Sequence, residues 1–330
     1  MAYRVKFGAN LEKDVRRLLS AQIGRAVAQL SGLTDGASAV HETRKSLKRC
    51  RAILRLARPG LSKSAFTTED HALRAIGRIL SQERDREVMT HTLGRLSAGS
   101  RSPAEKLAVA AVDTAFGTIR LNGVSQDDTE SDVRLAFSML QQADRSVRKL
   151  AVSPARIETL AAGFARTYTE ARRAMRTAYR TGQDETFHAF RKLVQHHWRH
   201  LQLLSPAWQE LFEVRIAAAR QLAQILGDDH DLAVLAAHLS ENDMRSLDTV
   251  SRDTVTALAR AEQARLRAEA RPLAGRLFAQ SPRDMERLVV KLWPAALRLA
   301  RHPRPAEKSP APAADETTVA EAAPVPARAG

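Results

Sequence analysis

Apolar residues recur at i, i+3 and i+4 along almost the whole chain. Ala, Leu, Arg, Glu and Gln dominate, and β-branched runs are few. This pattern predicts helices over 9–31, 36–58, 66–97, 102–120, 129–150, 154–181, 184–204, 206–240, 248–280 and 282–301. The breaks fall where Gly and Pro collect: Gly32 and Gly36, Pro59-Gly60, Pro103, Gly123, Pro154, Gly182, Pro206 and Pro282. Asp35, Asp184 and Ser205 stand where N-caps are needed. Pro272 predicts a kink or an interruption in the helix over 248–280. The expected fold is all-α.

Two of these helices split into an apolar back and a cationic front. At 100° per residue, His41, Arg44, Lys45, Lys48, Arg51 and Arg55 share one face, with Val40, Leu47, Cys50, Leu54 and Ala57 opposite. In the second, His188, Arg191, Lys192, Gln195 and Arg199 form the stripe, with Phe187, Phe190, Leu193, Val194, Leu201 and Leu204 behind. Both open on His-x-x-Arg-Lys, 147 residues apart. A face with so many cations and no acid at its centre repels itself, which makes a polyanionic ligand the natural neutraliser. The competing reading is a face that is merely solvated.

The repeat continues. Ile79-Leu80-Ser81-Gln82-Glu83-Arg84-Asp85-Arg86-Glu87-Val88 aligns with Ile225-Leu226-Gly227-Asp228-Asp229-His230-Asp231-Leu232-Ala233-Val234 at an offset of 146. A period this long does not suit a solenoid. It predicts a duplicated helical bundle. The folded part is expected over 1–301, with a first half about 1–123, a connecting helix about 124–150 and a second half about 151–301. The last 29 residues hold six of the 13 prolines. Their composition predicts a disordered Pro/Ala-rich tail over 302–330.

Charge sharpens the picture. The chain of 330 residues carries a formal charge of +15. The tail holds three basic and four acidic residues, so the other 301 hold 49 basic and 33 acidic ones. The positive charge therefore belongs to the expected folded part and points to nucleic acid, an anionic membrane or a phosphate polymer. A single cysteine, Cys50, excludes a disulfide framework and fits a reducing cytoplasm. No apolar run reaches the roughly 18 residues of a membrane span, and Met1–Asn10 lacks the apolar core of a signal peptide. A cytoplasmic location is expected.

Further cations extend the candidate set. Arg166, Arg173, Arg176 and Arg180 share a face of the helix before the second motif. His71, Arg74 and Arg78 share a face of the helix after the first, and Arg220 is the repeat equivalent of Arg74. Arginine suits phosphate because its planar fork donates two parallel hydrogen bonds, while lysine supplies a mobile point charge. The alternative for these residues is ion pairing across the bundle. His41 and His188, beside several cations, should stay neutral, and a bound polyanion would favour their protonated form. Asp85 and Asp231 occupy matching positions and are expected to orient or neutralise arginines. Neither Asp228-Asp229-His230-Asp231 nor His196, His197 and His200 has a partner set at a known metal spacing. Trp198, at the edge of the stripe, is expected to pack beside it. No nucleophile–base constellation, glycine-rich phosphate loop or dinucleotide fingerprint appears. No cofactor, metal or catalytic residue is assigned.

The paired His-x-x-Arg-Lys helices resemble the conserved histidine α-helical domain family, CHAD. So do the elements that follow them, Leu80 to Val88 and Leu226 to Val234, and the stretch Arg276-Leu277-Phe278-Ala279-Gln280-Ser281-Pro282. The resemblance covers roughly 1–301. It implies two pseudo-symmetric antiparallel helical bundles around a basic groove or pore, binding of inorganic polyphosphate, and association with polyphosphate granules and their proteins. Many members carry a fused CYTH-type domain, whose Glu-x-Glu strands are not found here. The sequence departs from the family pattern at Gln195, where Lys is usual, and at His196 and Arg199, where aromatic residues often occur. Arg199 falls on the stripe and can restore the charge. Two rivals to non-catalytic polyphosphate binding stay open: a nucleic-acid-binding helical protein, and a polyphosphate or nucleotide phosphohydrolase.

Overall fold

A computed structural model describes residues 3–8, 10–32, 36–80, 82–121, 126–240 and 247–301. Asp35 and the proline-rich tail lie outside them. The elements are α1 (Leu11–Ser31), α2 (Gly36–Ala57), a 3₁₀ turn (Arg58–Gly60), α3 (Lys63–Ile79), α4 (Gln82–Gly99), α5 (Pro103–Leu121) and α6 (Gln126–Val147). They continue with α7 (Ile157–Thr181), α8 (Asp184–Leu204), a second 3₁₀ turn (Ser205–Ala207), α9 (Gln209–Ser240), α10 (Thr249–Leu277) and α11 (Pro282–Arg301). No strand forms among the described residues.

Local chemistry explains the ends. Asn10, Ser62 and Asp248 accept the backbone N–H three residues on, at the starts of α1, α3 and α10. Ser102 and Glu105 form a reciprocal capping box before α5. Gly182 ends α7 at φ +69°, a left-handed conformation that favours glycine, and its N–H reaches the Ala178 carbonyl. Two expected caps are corrected. Gln183, not Asp184, precedes α8, and Asp184 instead receives Arg260 and Arg267. Ser205 closes α8 and opens the 3₁₀ turn rather than capping α9, which begins at Gln209.

Two further expectations change. The helix expected over 66–97 is two, α3 and α4, divided after Ile79. The aligned second-half segment runs unbroken within α9. Conversely, α10 passes through Pro272 without interruption.

Hairpins α1–α2 and α7–α8 form the centre, and α2 packs on both α7 and α8. Helix α6 rests on α1 and α3, as α11 rests on α7. Helix α5 lies against α10, and α9 against α8 and α10. The core is apolar along the predicted faces: Ile53 and Leu54 of α2, Phe164 and Tyr168 of α7, and Phe190 and Leu201 of α8 are all buried. The α2–α7 crossing is unusually close. A Cβ at Gly163 would stand 1.9 Å from the Leu56 carbonyl oxygen, so only glycine fits.

Candidate functional site: a cation-lined cavity between α2, α3 and α8

The apolar backs of α2 and α8 bury against the core, which turns their cationic fronts toward one another. The space between them, closed on a third side by α3, is a cavity of about 880 Å³. Its lining carries Arg44, Lys48, Arg51 and Arg55 from α2, Arg74 and Arg78 from α3, and His188, Lys192 and His196 from α8. Two carboxylates share it, Glu170 of α7 and Glu185 of α8. A smaller recess of about 250 Å³ adjoins it and shares Arg44, Lys48, Arg51, His188, Lys192 and His196. It adds Arg191, Gln195, Arg199, His230 and Asp231.

Four of the lining cations, Arg44, Arg51, Arg55 and Arg74, are held by acids or backbone carbonyls. Arg51 and Arg74 both reach the buried Asp70 carboxylate, each at 2.8 Å. Glu170 bridges Arg55 and Arg166 at 3.2 Å each. Arg44 has a structural task as well: its Nη1 donates to the carbonyls of Gly77 (2.6 Å) and Leu80 (2.9 Å). These carbonyls close α3, so the guanidinium caps that helix where the chain turns into α4. Lys192 makes no ion pair among the described residues. Burial, then Arg51, Arg74 and Arg191, lowers its pKa.

Burial, followed by Lys192 and Arg191, pushes the His188 pKa down to about 4, so the imidazole is neutral at neutral pH. Its ring stacks on His230 at 4.0 Å. Burial and Arg55 hold His196 well below the usual histidine range. One turn on, His200 and its neighbour His197 are fully buried. His197 stacks on Phe164 and meets Tyr168 and Phe278 edge-on or tilted. Trp198 is partly buried beside the stripe, as expected, with the Arg199 guanidinium 5.1 Å from its ring centre. Arg199 itself is buried, donates to the Gln195 carbonyl at 2.8 Å, and has its pKa lowered to about 10 by burial.

The structure thus brings Arg44, Lys48, Arg51, Arg55, Arg74, Arg78, His188, Arg191, Lys192 and Arg199 to the two adjoining spaces. It leaves seven candidates out of the linings: His41, Lys45, Arg166, Arg173, Arg176, Arg180 and Arg220. Lys45 pairs with Glu42 at 2.6 Å on the exposed side of α2. Arg220 is exposed on α9. The acids Asp70, Glu170 and Glu185 and the imidazoles His196 and His230 were not among the sequence candidates for the site. The i,i+4 pairs Asp70–Arg74 and Glu170–Arg166 were the available signals for two of them.

The aspartates separate. The side chain of Asp85 lies outside the described residues. Asp231 lines the smaller recess, Asp228 pairs with Arg95, and the buried Asp229 takes Arg267 Nε at 2.6 Å. Among the described residues, no three His, Cys, Asp or Glu side chains converge in a way that could hold a metal ion. Among the described residues, no helix is long and apolar enough to cross a membrane. No Phe, Tyr or Trp lines either space.

The sequence pattern of the CHAD domain matches residues 17–240. A comparison with curated proteins finds no match. Among solved structures, the chain is similar to PptA from Streptomyces chartreusis, with a TM-score of 0.58 and 15% sequence identity, over 82% of this chain and 100% of that one. At that identity the likeness is one of fold.

Proposed function

The chain belongs to the CHAD domain family, and from that membership and the cavity we propose that it binds inorganic polyphosphate without turning it over. The observation that carries this reading is the lining: seven Arg and Lys side chains from three helices face one space with two carboxylates. Such a site suits a flexible chain of linked phosphates that can thread between helices. Binding would release condensed counterions from the ligand, as for a nucleic-acid backbone. A single-stranded nucleic acid would also want aromatic platforms for its bases, and the lining has none. For this chain, a cytoplasmic location on polyphosphate granules is part of the same proposal.

Titration of the protein with long-chain polyphosphate, orthophosphate, ATP and duplex DNA at several salt concentrations tests the reading. Long polyphosphate is expected to bind at least about tenfold tighter than the other three. If six to ten phosphates are engaged, log K should fall with log salt at a slope of about −4 to −7. Equal or tighter binding of DNA would overturn the ligand assignment. Phosphate release in the presence of magnesium would overturn the non-catalytic part.

A further inference from the structure

Four of the arginines that stay out of the cavity lining share a different place. Arg166, Arg173, Arg176 and Arg180 are all exposed on α7. At 100° per residue they fall within about 80° of one another, along about 21 Å of helix. Among the described residues, Arg173, Arg176 and Arg180 form no ion pair, and Arg166 pairs with Glu170. Glu170 is also part of the cavity wall and holds Arg55 through its other oxygen. One carboxylate therefore links Arg55, the last cation of the α2 face, to the first cation of the α7 stripe. From Glu170 at the cavity wall the stripe runs along the exposed side of α7 toward the α7–α8 turn, outside the cavity lining.

We propose that the α7 stripe is a second, exterior track on which a polyphosphate chain continues after it leaves the cavity past Glu170. The proposal rests on the polyphosphate reading of the cavity. Short chains fill the cavity alone. Only a long chain reaches Arg173, Arg176 and Arg180, so these residues select for chain length. Beyond Glu170, the one-signed charges of Arg173, Arg176 and Arg180 at this spacing fit a flexible polyanion laid lengthwise along the helix, with each guanidinium donating to phosphate oxygens.

The test compares tripolyphosphate with long-chain polyphosphate on four full-length proteins. These are the wild type, a cavity variant (Lys48→Gln with Lys192→Gln), a track variant (Arg173→Gln, Arg176→Gln and Arg180→Gln) and a control. The control removes three charges from exposed positions on α6 and in the turn that follows it (Arg134→Gln and Arg145→Gln on α6, Arg148→Gln in the turn). Circular dichroism and melting temperature establish that each folds. The track variant should lose about tenfold or more in affinity for the long chain, with its salt slope smaller in magnitude by about 2. It should bind tripolyphosphate as the wild type does, and the control should match the wild type with both. Three results overturn the track: a track variant with unchanged long-chain affinity, equal losses for both ligands, or a control that falls as far as the track variant. A cavity variant that keeps full affinity for both ligands would instead sink the polyphosphate reading of the cavity itself.

Discussion

His200 Nε2 lies 2.8 Å from the backbone carbonyl oxygen of Ala52 and so ties α8 to α2 in the interior. A carbonyl only accepts, so Nε2 carries the proton and the imidazole is the neutral Nε2–H form. This bond joins two of the three helices that wall the cavity and places a titratable group under the site.

That burial sets an acid limit on stability. His197 and His200 are both pushed down to about 3, by burial first; cations add to this, while the Ala52 hydrogen bond opposes it at His200. In the unfolded chain each titrates near 6.5. Their folded-state pKa lies below the unfolded one, so their effect is complete above about pH 6.5 and stability is lost as pH falls toward 3. Between pH 7 and pH 5 each should cost about 2 kcal/mol. Denaturant unfolding at the two pH values is expected to show this loss, and His197→Phe should recover about half of it. A pH-independent midpoint would contradict the buried neutral imidazoles.

Arg44 should matter for folding as well as for charge. Its bonds to the Gly77 and Leu80 carbonyls close α3. Arg44→Ala is expected to cost about 1.5–3 kcal/mol, the range for hydrogen bonds to a charged group. Lys192→Gln, at an exposed position that makes no ion pair among the described residues, should leave the unfolding midpoint nearly unchanged. Equal midpoints for the two variants would remove the capping role.

Glu170 is an anion built into a cavity wall that is otherwise mostly cationic, and it engages Arg55 and Arg166. A polyanion entering there must displace or repel it. Glu170→Gln should therefore tighten polyphosphate binding several-fold, with a salt slope steeper by about 0.7. Weaker binding would mean that the carboxylate orients the two arginines for the ligand rather than competing with it.

Glycines give a sharp contrast in packing. Gly163→Ala places a methyl 1.9 Å from the Leu56 carbonyl oxygen, a backbone atom. Helices α2 and α7 must separate, and a loss of about 3 kcal/mol or more is expected. At Gly275 in α10 a Cβ meets nothing within 4 Å. Gly275→Ala should stabilise by about 0.5–1 kcal/mol, because alanine loses less backbone freedom in a helix. Thermal melts of the two variants in parallel check the pair.

The sequence by itself determined the helices, because the apolar period of an amphipathic helix is local geometry. It also determined that α2 and α8 each carry a one-signed face, since position along a helix decides which side chains share a side. It did not reveal the break after Ile79, where the repeat partner in α9 stays continuous. Only the tertiary structure decided which cations meet. Arg74 and Arg78 join the cavity because α3 packs on α2, whereas the equally basic face of α7 points outward from its rim. The partners of the site are also long-range: Glu170 lies 115 residues from Arg55, and Ala52 lies 148 from His200. Such pairings depend on how whole helices stack and how closely they approach, as at Gly163, and helical periodicity carries no information about either.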